Sequence, residues 1–179
     1  MSVARLSSVV ALVVSCSACI YAQQSGTGSL QTGYTVPTRA TIVLSAVPDG
    51  TGADGVIVGS GELVRSSLAT ELLKRGYQVL NSSTAESTQL LEEAKSRNAD
   101  LALSVHITIW EDNATSWSSK HDHAGIVLQL YDVTSQSLRG SSERLADGVS
   151  HPNQCASWLA HTAVAAMLGE VVSDEEPPC

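Results

Sequence analysis

Asp100-Leu-Ala-Leu-Ser-Val-His-Ile-Thr-Ile-Trp110 places Leu101, Leu103, Val105, Ile107 and Ile109 at alternate positions, with smaller or polar residues between them. A period of two is that of a β-strand with one face turned to a core. Downstream, residues 124–132 read as a second strand, and Thr134-Ser-Gln-Ser137 as a turn into a weaker one at 138–146. Upstream, Ala40-Thr-Ile-Val-Leu-Ser-Ala46 is a β-branched run bounded by Pro48-Asp-Gly, hence a buried strand. Residues 61–75 put Val64, Leu68 and Leu72 on one helical face, and Lys74-Arg75-Gly76 closes that helix. Tyr77 to Leu80 is a short strand, and Ser83-x-x-Glu86 is a capping box opening a helix with Leu90, Leu91 and Ala94. Pro152 begins a last helix over 153–168, with Leu159, Ala163, Ala166 and Met167 on one face and Gly169 as its stop. The order is β-α-β-α-β-β-β-α. Two βαβ-like crossovers followed by hairpins predict an α/β fold of the α+β kind, a mixed sheet with helices mainly on one face.

The chain has 179 residues, 10 Lys+Arg against 18 Asp+Glu, and a net charge of -8. Phosphate-backbone binding depends on clustered Lys and Arg, so the balance argues against a nucleic-acid partner. An apolar fraction of 43% with 5 Pro fits a packed core better than disorder. Aromatics are 4% and Phe is absent, so that core is built from Val, Leu, Ile and Ala.

The first residues decide where the protein lives. Met1 to Arg5 is a short basic n-region, and Leu6 to Val14 an apolar run far shorter than the ~20 residues of a spanning helix. Two cleavage readings compete. Val13-Val14-Ser15-Cys16 resembles the bacterial lipobox, in which Cys16 becomes the lipidated first residue, palmitate among its acyl chains, and residues 1–15 are removed. Ile20-Tyr21-Ala22 suits an ordinary signal peptidase, which removes 1–22 and leaves Gln23 first. The lipobox is the more demanding match. Ser17 after Cys16 lacks the Asp that retains lipoproteins at the inner membrane, which points to the periplasmic face of the outer membrane. A chain cut before Gln23 is instead secreted or periplasmic and soluble.

Residues 23–38 are rich in Gln, Gly, Ser and Thr without an apolar period, and 16–38 read as a flexible tether. Residues 39–172 follow as a single domain and 173–179 as an acidic tail containing Asp174-Glu-Glu176. Cys155 and Cys179 are a candidate disulfide in an oxidising compartment, closing a loop of roughly 24 residues worth about 3 kcal/mol.

Gly50-Thr-Gly52-Ala-Asp-Gly55 is a literal G-x-G-x-x-G between a strand and a helix. A dinucleotide site needs the helix N-terminus directly after the last Gly and an acidic residue after the second strand. Here Val-Ile-Val-Gly-Ser-Gly intervenes and Leu80-Asn81 ends that strand, so a Gly-rich loop is expected, with Ser60 as N-cap. His121-Asp-His123 offers two imidazoles on one side of a strand, weak candidates for a metal, with His106, Glu111, Asp112, His151 and His161 as further ligands that no spacing selects. No G-x-S-x-G elbow and no complete catalytic set is present, and no cofactor is expected.

Trp110-Glu-Asp-Asn-Ala-Thr-Ser-Trp117-Ser118 stands apart: two of the 3 Trp flank two carboxylates and a Thr in a connection between strands. Trp110 either closes the sheet edge while Asp112 or Thr115 caps the turn, or the aromatic pair receives a partner or polar ligand. This segment, Ile109-Trp-Glu-Asp-x-Ala-Thr-x-Trp-Ser118, is similar to the signature of a family of small bacterial lipoproteins with a domain of unknown function. The resemblance continues through Ile126-Val-Leu-Gln-Leu-Tyr-Asp-Val133 and spans roughly residues 39–168. Its signature positions here are Trp110, Glu111, Asp112, Ala114, Thr115, Trp117 and Ser118, with no roles attached. The family's Pro-Asp step after the motif is replaced by Lys120-His121-Asp122-His123. The element order more loosely resembles the amino-terminal domain of the TolB type, a likeness of fold alone. These features together imply a lipid-anchored, non-enzymatic binding or assembly module whose partners are the membrane and an envelope protein or small ligand. The rivals are a metal-binding protein or hydrolase using His121, His123, Glu111 and Asp112, and a freely secreted disulfide-closed domain.

Overall fold

The computed structural model describes residues 23–53, 55–113, 121–149 and 151–172. Its strands are β1 (Gln23–Ser25), β2 (Gly28–Leu30), β3 (Thr41–Leu44), β4 (Thr51–Gly52), β5 (Gly55–Val56), β6 (Gln78–Asn81), β7 (Leu101–Glu111), β8 (Asp122–Asp132) and β9 (Ser137–Val149). Its helices are α1 (Ser60–Lys74), α2 (Ser87–Ser96) and α3 (Pro152–Met167). Seven strands form one mixed sheet in the order β1-β9-β8-β7-β3-β6, with β2 also on β9. β3 runs parallel to β6 and β7, and the other pairings in that sheet are antiparallel. The β-α-β-α-β-β-β-α order expected from periodicity is the order from β3 to α3, once the small β4–β5 hairpin is set aside.

The two sides of the sheet bury different residues because strand side chains alternate. Ile42, Leu44, Leu101, Leu103, Val105, Ile126, Leu128 and Leu130 face α1 and α3 in the larger core. Val43 and Ala102 point the other way, against Leu90 and Ala94 of α2. Two helices therefore cover one face and one covers part of the other. β3 to β6 and β6 to β7 cross over the sheet in opposite directions, so right-handed crossovers put α1 and α2 on opposite faces. The half of the sheet on β7, β8 and β9 turned away from α3 carries His106, Ile109, Val127, Gln129, Tyr131 and Leu145, all half-buried or exposed.

A core without Phe packs its last helix close. α3 buries Ala156, Ala160, Ala163 and Ala166 beside Leu159 and Met167, and Ser142 on β9 donates its hydroxyl to the carbonyl of Ala163 at 2.8 Å. Small side chains let the helix backbone come within reach of a strand side chain, so scarce volume is offset by proximity.

The structure corrects three local readings. Residues 23–30, expected within a flexible tether, supply β1 and β2, which pair with β9 through Gln23↔Asp147 and Leu30↔Gly140. The free edge of a long strand is satisfied by backbone N–H and C=O groups, which any sequence carries, so no apolar period announces the pairing. The capping box at Ser83 is not the start of α2: Glu86 is the N-cap, its carboxylate accepting from the N–H groups of Thr88 (3.0 Å) and Gln89 (2.8 Å). Ser60 is not the N-cap of α1 either; Gly59 is, with φ 89°.

Candidate functional site

β7, β8, β9 and the start of α3 meet at one end of the sheet, where the sequence had placed its signature. Trp110 is fully buried, on the side of β7 that faces α3, and its Nε1–H donates to Oδ1 of Asn153 at 3.1 Å. The indole thus closes the core beneath the first turn of α3, the structural alternative of the two open for this residue. Pro152 holds that turn, and His151 caps it, its Nδ1 accepting the Asn153 N–H at 3.3 Å.

The G-x-G-x-x-G stretch finds its explanation here. A Cβ on Gly50 would stand 2.5 Å from Cβ of Trp110, and one on Gly52 would stand 3.0 Å from the Trp110 carbonyl. These glycines let β4 lie directly on β7. The N-terminus of α1, where a pyrophosphate would sit, is filled by the chain's own Asp49: one oxygen accepts from Gly59 N–H (3.1 Å) and Gly61 N–H (2.8 Å). Gly50 N–H in turn donates to the Ser60 hydroxyl at 2.8 Å.

On the opposite face, register makes Glu111 and His123 direct neighbours across β7 and β8, and His123 and Asp147 neighbours across β8 and β9. His123 Nδ1 lies 3.0 Å from Asp147 and its Nε2 3.9 Å from Glu111. Asp112 reaches His151 at 3.5 Å. Asp122, on the buried side, accepts the Asn113 N–H on Oδ1 (2.5 Å), while the Asn113 side chain donates to the His121 carbonyl (2.8 Å). Oδ2 of Asp122 is buried without a hydrogen-bond partner among the described residues.

The structure therefore gathers Trp110, Glu111, Asp112, His121 and His123 at one end of the sheet, but not around one point. Trp110 goes inward, Glu111 and His123 sit on the outer face, and Asp112 turns to α3. Among the described residues, no group of three or more His, Cys, Asp or Glu is placed to hold a metal ion. Ala114, Thr115, Trp117 and Ser118 lie outside the described residues, as do Cys16 and Cys179. Cys155 is buried and disulfide-bonded. Sequence reasoning missed Asp147 and Asn153, because only strand register and the α3 approach bring them to the signature.

A second cluster joins α1 to α3. Glu71, 6% exposed, is bound by Arg75, by Lys74 at 3.5 Å and by His161 Nδ1 at 2.9 Å, and Arg75 also holds Glu170 at 3.0 Å. His161 thus serves an interhelical contact rather than the sheet end.

No protein-family model and no curated protein matches the chain. Among solved structures, the fold is shared with the PelC dodecamer from Paraburkholderia phytofirmans: TM-score 0.63 at 18% identity, covering 80% of this chain and 99% of that one. A single-substitution variant of the same PelC, in another crystal form, gives TM-score 0.60 at 19% identity over 79% and 98%. A lipoprotein from Neisseria meningitidis matches more distantly, with TM-score 0.45 at 13% identity over 59% of this chain and 78% of that one. At these identities the PelC likeness shows the fold, and it runs over nearly the whole of PelC.

Proposed function

We propose that the chain is a lipid-anchored module of the bacterial cell envelope, acylated at Cys16 and held at the periplasmic face of the outer membrane. It works there by binding or assembly rather than by catalysis. The observation that carries this reading is Val13-Val14-Ser15-Cys16 directly after an apolar h-region, with β1 beginning seven residues after Cys16 at Gln23. The several acyl chains of such a cysteine suffice for stable attachment. A binding role is supported by how the reactive side chains are used: His123 is held between Asp147 and Glu111, Glu71 among Arg75, Lys74 and His161, and Trp110 in the core. The fold also supports it, since it is shared with a protein whose structure is a dodecamer.

The test is extraction. Membranes washed in high salt are expected to retain the protein, detergent to release it, and the Cys16→Ser variant to leave the acylated membrane pool. Release of the native protein by salt alone overturns the anchor. A second reading, a secreted domain cut before Gln23, is supported by Ile20-Tyr21-Ala22.

A further inference from the structure

Arg144 stands on β9 on the side that faces α3 and lines a cavity of about 370 Å³ at the sheet edge. Ser25, Gly26 and Gly28 form the wall from β1 and β2, and Ala166 and Glu170 the wall at the end of α3. The guanidinium makes one long bond, Nη1 to the Glu143 carbonyl at 3.4 Å, and its Nε is buried without a partner among the described residues. No described carboxylate pairs with it, whereas Arg65, Lys74, Arg75 and Arg97 each have one. Glu170, on the same cavity, is engaged by Arg75 at 3.0 and 3.3 Å. Burial pushes the Arg144 pKa down, as expected for a cation partly stripped of water. The room it occupies is made by Gly26 at the break between β1 and β2, where a Cβ would stand 2.8 Å from Nη1 and 2.1 Å from the Glu143 carbonyl oxygen.

We propose that this cavity binds an oxyanion, the phosphate of an anionic lipid headgroup or free phosphate, with Arg144 as its charge partner. Guanidinium and phosphate match in charge and in donor geometry, and the complex would supply a counter-charge that no described residue provides. The lipid source rests on the anchoring reading; the site itself does not. Six residues lie between Cys16 and Gln23, a span of at most about 25 Å over seven Cα steps, so an anchored domain holds its β1 edge close to the headgroups.

The experiment is thermal melting of the full-length protein purified in neutral detergent. Sodium phosphate is compared with sodium chloride at matched ionic strength, and phosphatidylglycerol with phosphatidylcholine in mixed micelles. The expected result is a rise in Tm with phosphate or phosphatidylglycerol, half-maximal for free phosphate on the order of 1 mM. Arg144→Gln, shown folded by circular dichroism, is expected to weaken the effect roughly 10- to 100-fold, and Arg144→Lys less. A shift from phosphatidylglycerol alone assigns the site to lipid, and an equal shift from free phosphate assigns it to a soluble anion. No shift with either, or one that Arg144→Gln and Arg144→Lys both leave unchanged, overturns the site. Because the free-phosphate arm needs no acyl chain, its failure is distinct from a failure of the anchor.

Discussion

Replacing Trp110 separates its two roles, core residue and binding aromatic. The indole is fully buried and its N–H reaches Asn153 at 3.1 Å, tying β7 to the first turn of α3. Trp110→Ala removes one of the largest buried side chains and leaves a cavity under α3, a change that costs about 3–5 kcal/mol. Trp110→Phe keeps most of the volume and loses the part-buried bond to Asn153, whose exposed side chain can turn to water, at about 0.5–1.5 kcal/mol. For a chain of 179 residues the alanine loss corresponds to a fall in Tm of roughly 6–20 °C. The assay is thermal melting of Trp110→Ala, Trp110→Phe, Asn153→Ala and the double variant Trp110→Phe/Asn153→Ala. A hydrogen bond between the two side chains predicts that the double variant loses less than the sum of the two singles. A Trp110→Ala protein melting within 2 °C of the native one would refute the core role and return the residue to the binding surface.

Three further outcomes follow from the same geometry. Asp49→Ala strips the N-terminus of α1 of its carboxylate and is expected to lower stability by about 0.5–2 kcal/mol; an unchanged urea midpoint contradicts that capping. Glu86 is held below the usual carboxylate range by the N–H groups of Gln89 and Thr88, and Asp132 by the hydroxyl and N–H of Ser135. A lowered folded pKa means stability complete above the ordinary value near 4 and lost as pH falls through the folded one, so urea midpoints drop below about pH 4. Glu86→Gln and Asp132→Asn flatten that acid limb, and an identical slope in both rejects the assignment. Reducing the Cys155 disulfide is expected to cost about 2–4 kcal/mol, and non-reducing peptide mapping to pair it with Cys179; a Cys19 partner would reject that pairing.

The long elements were legible because burial leaves a period in the sequence. β7 has its alternation from Leu101 to Ile107, until the bulge at Ile107/Ile109 turns Ile109 away from α3, and α1 and α3 have their apolar faces, since these side chains pack on a common core. β1 and β2 were illegible for the converse reason: they are held by backbone pairing to β9, and Gly28-Ser29-Leu30 has no buried stripe to read. The spacing of the Gly50–Gly55 stretch reads as a Gly-rich loop. Its cause, the approach of β4 to Trp110, is a contact across roughly 60 residues of chain that no local pattern records. At the sheet end, sequence adjacency suggested that Glu111, Asp112, His121 and His123 act together. Alternation sends Glu111 outward and Trp110 inward on β7, and Asp122 inward and His123 outward on β8. Arg144 carried no signal at all, because an arginine on a polar strand is ordinary until β1 and α3 close around it.

The most direct test of the account is the intact mass of the mature protein taken from membranes, beside that of a Cys16→Ser variant. The account predicts a chain that begins at acylated Cys16, and a variant that is left unprocessed or soluble. A mature chain that begins at Gln23 would contradict it and make the protein a secreted domain.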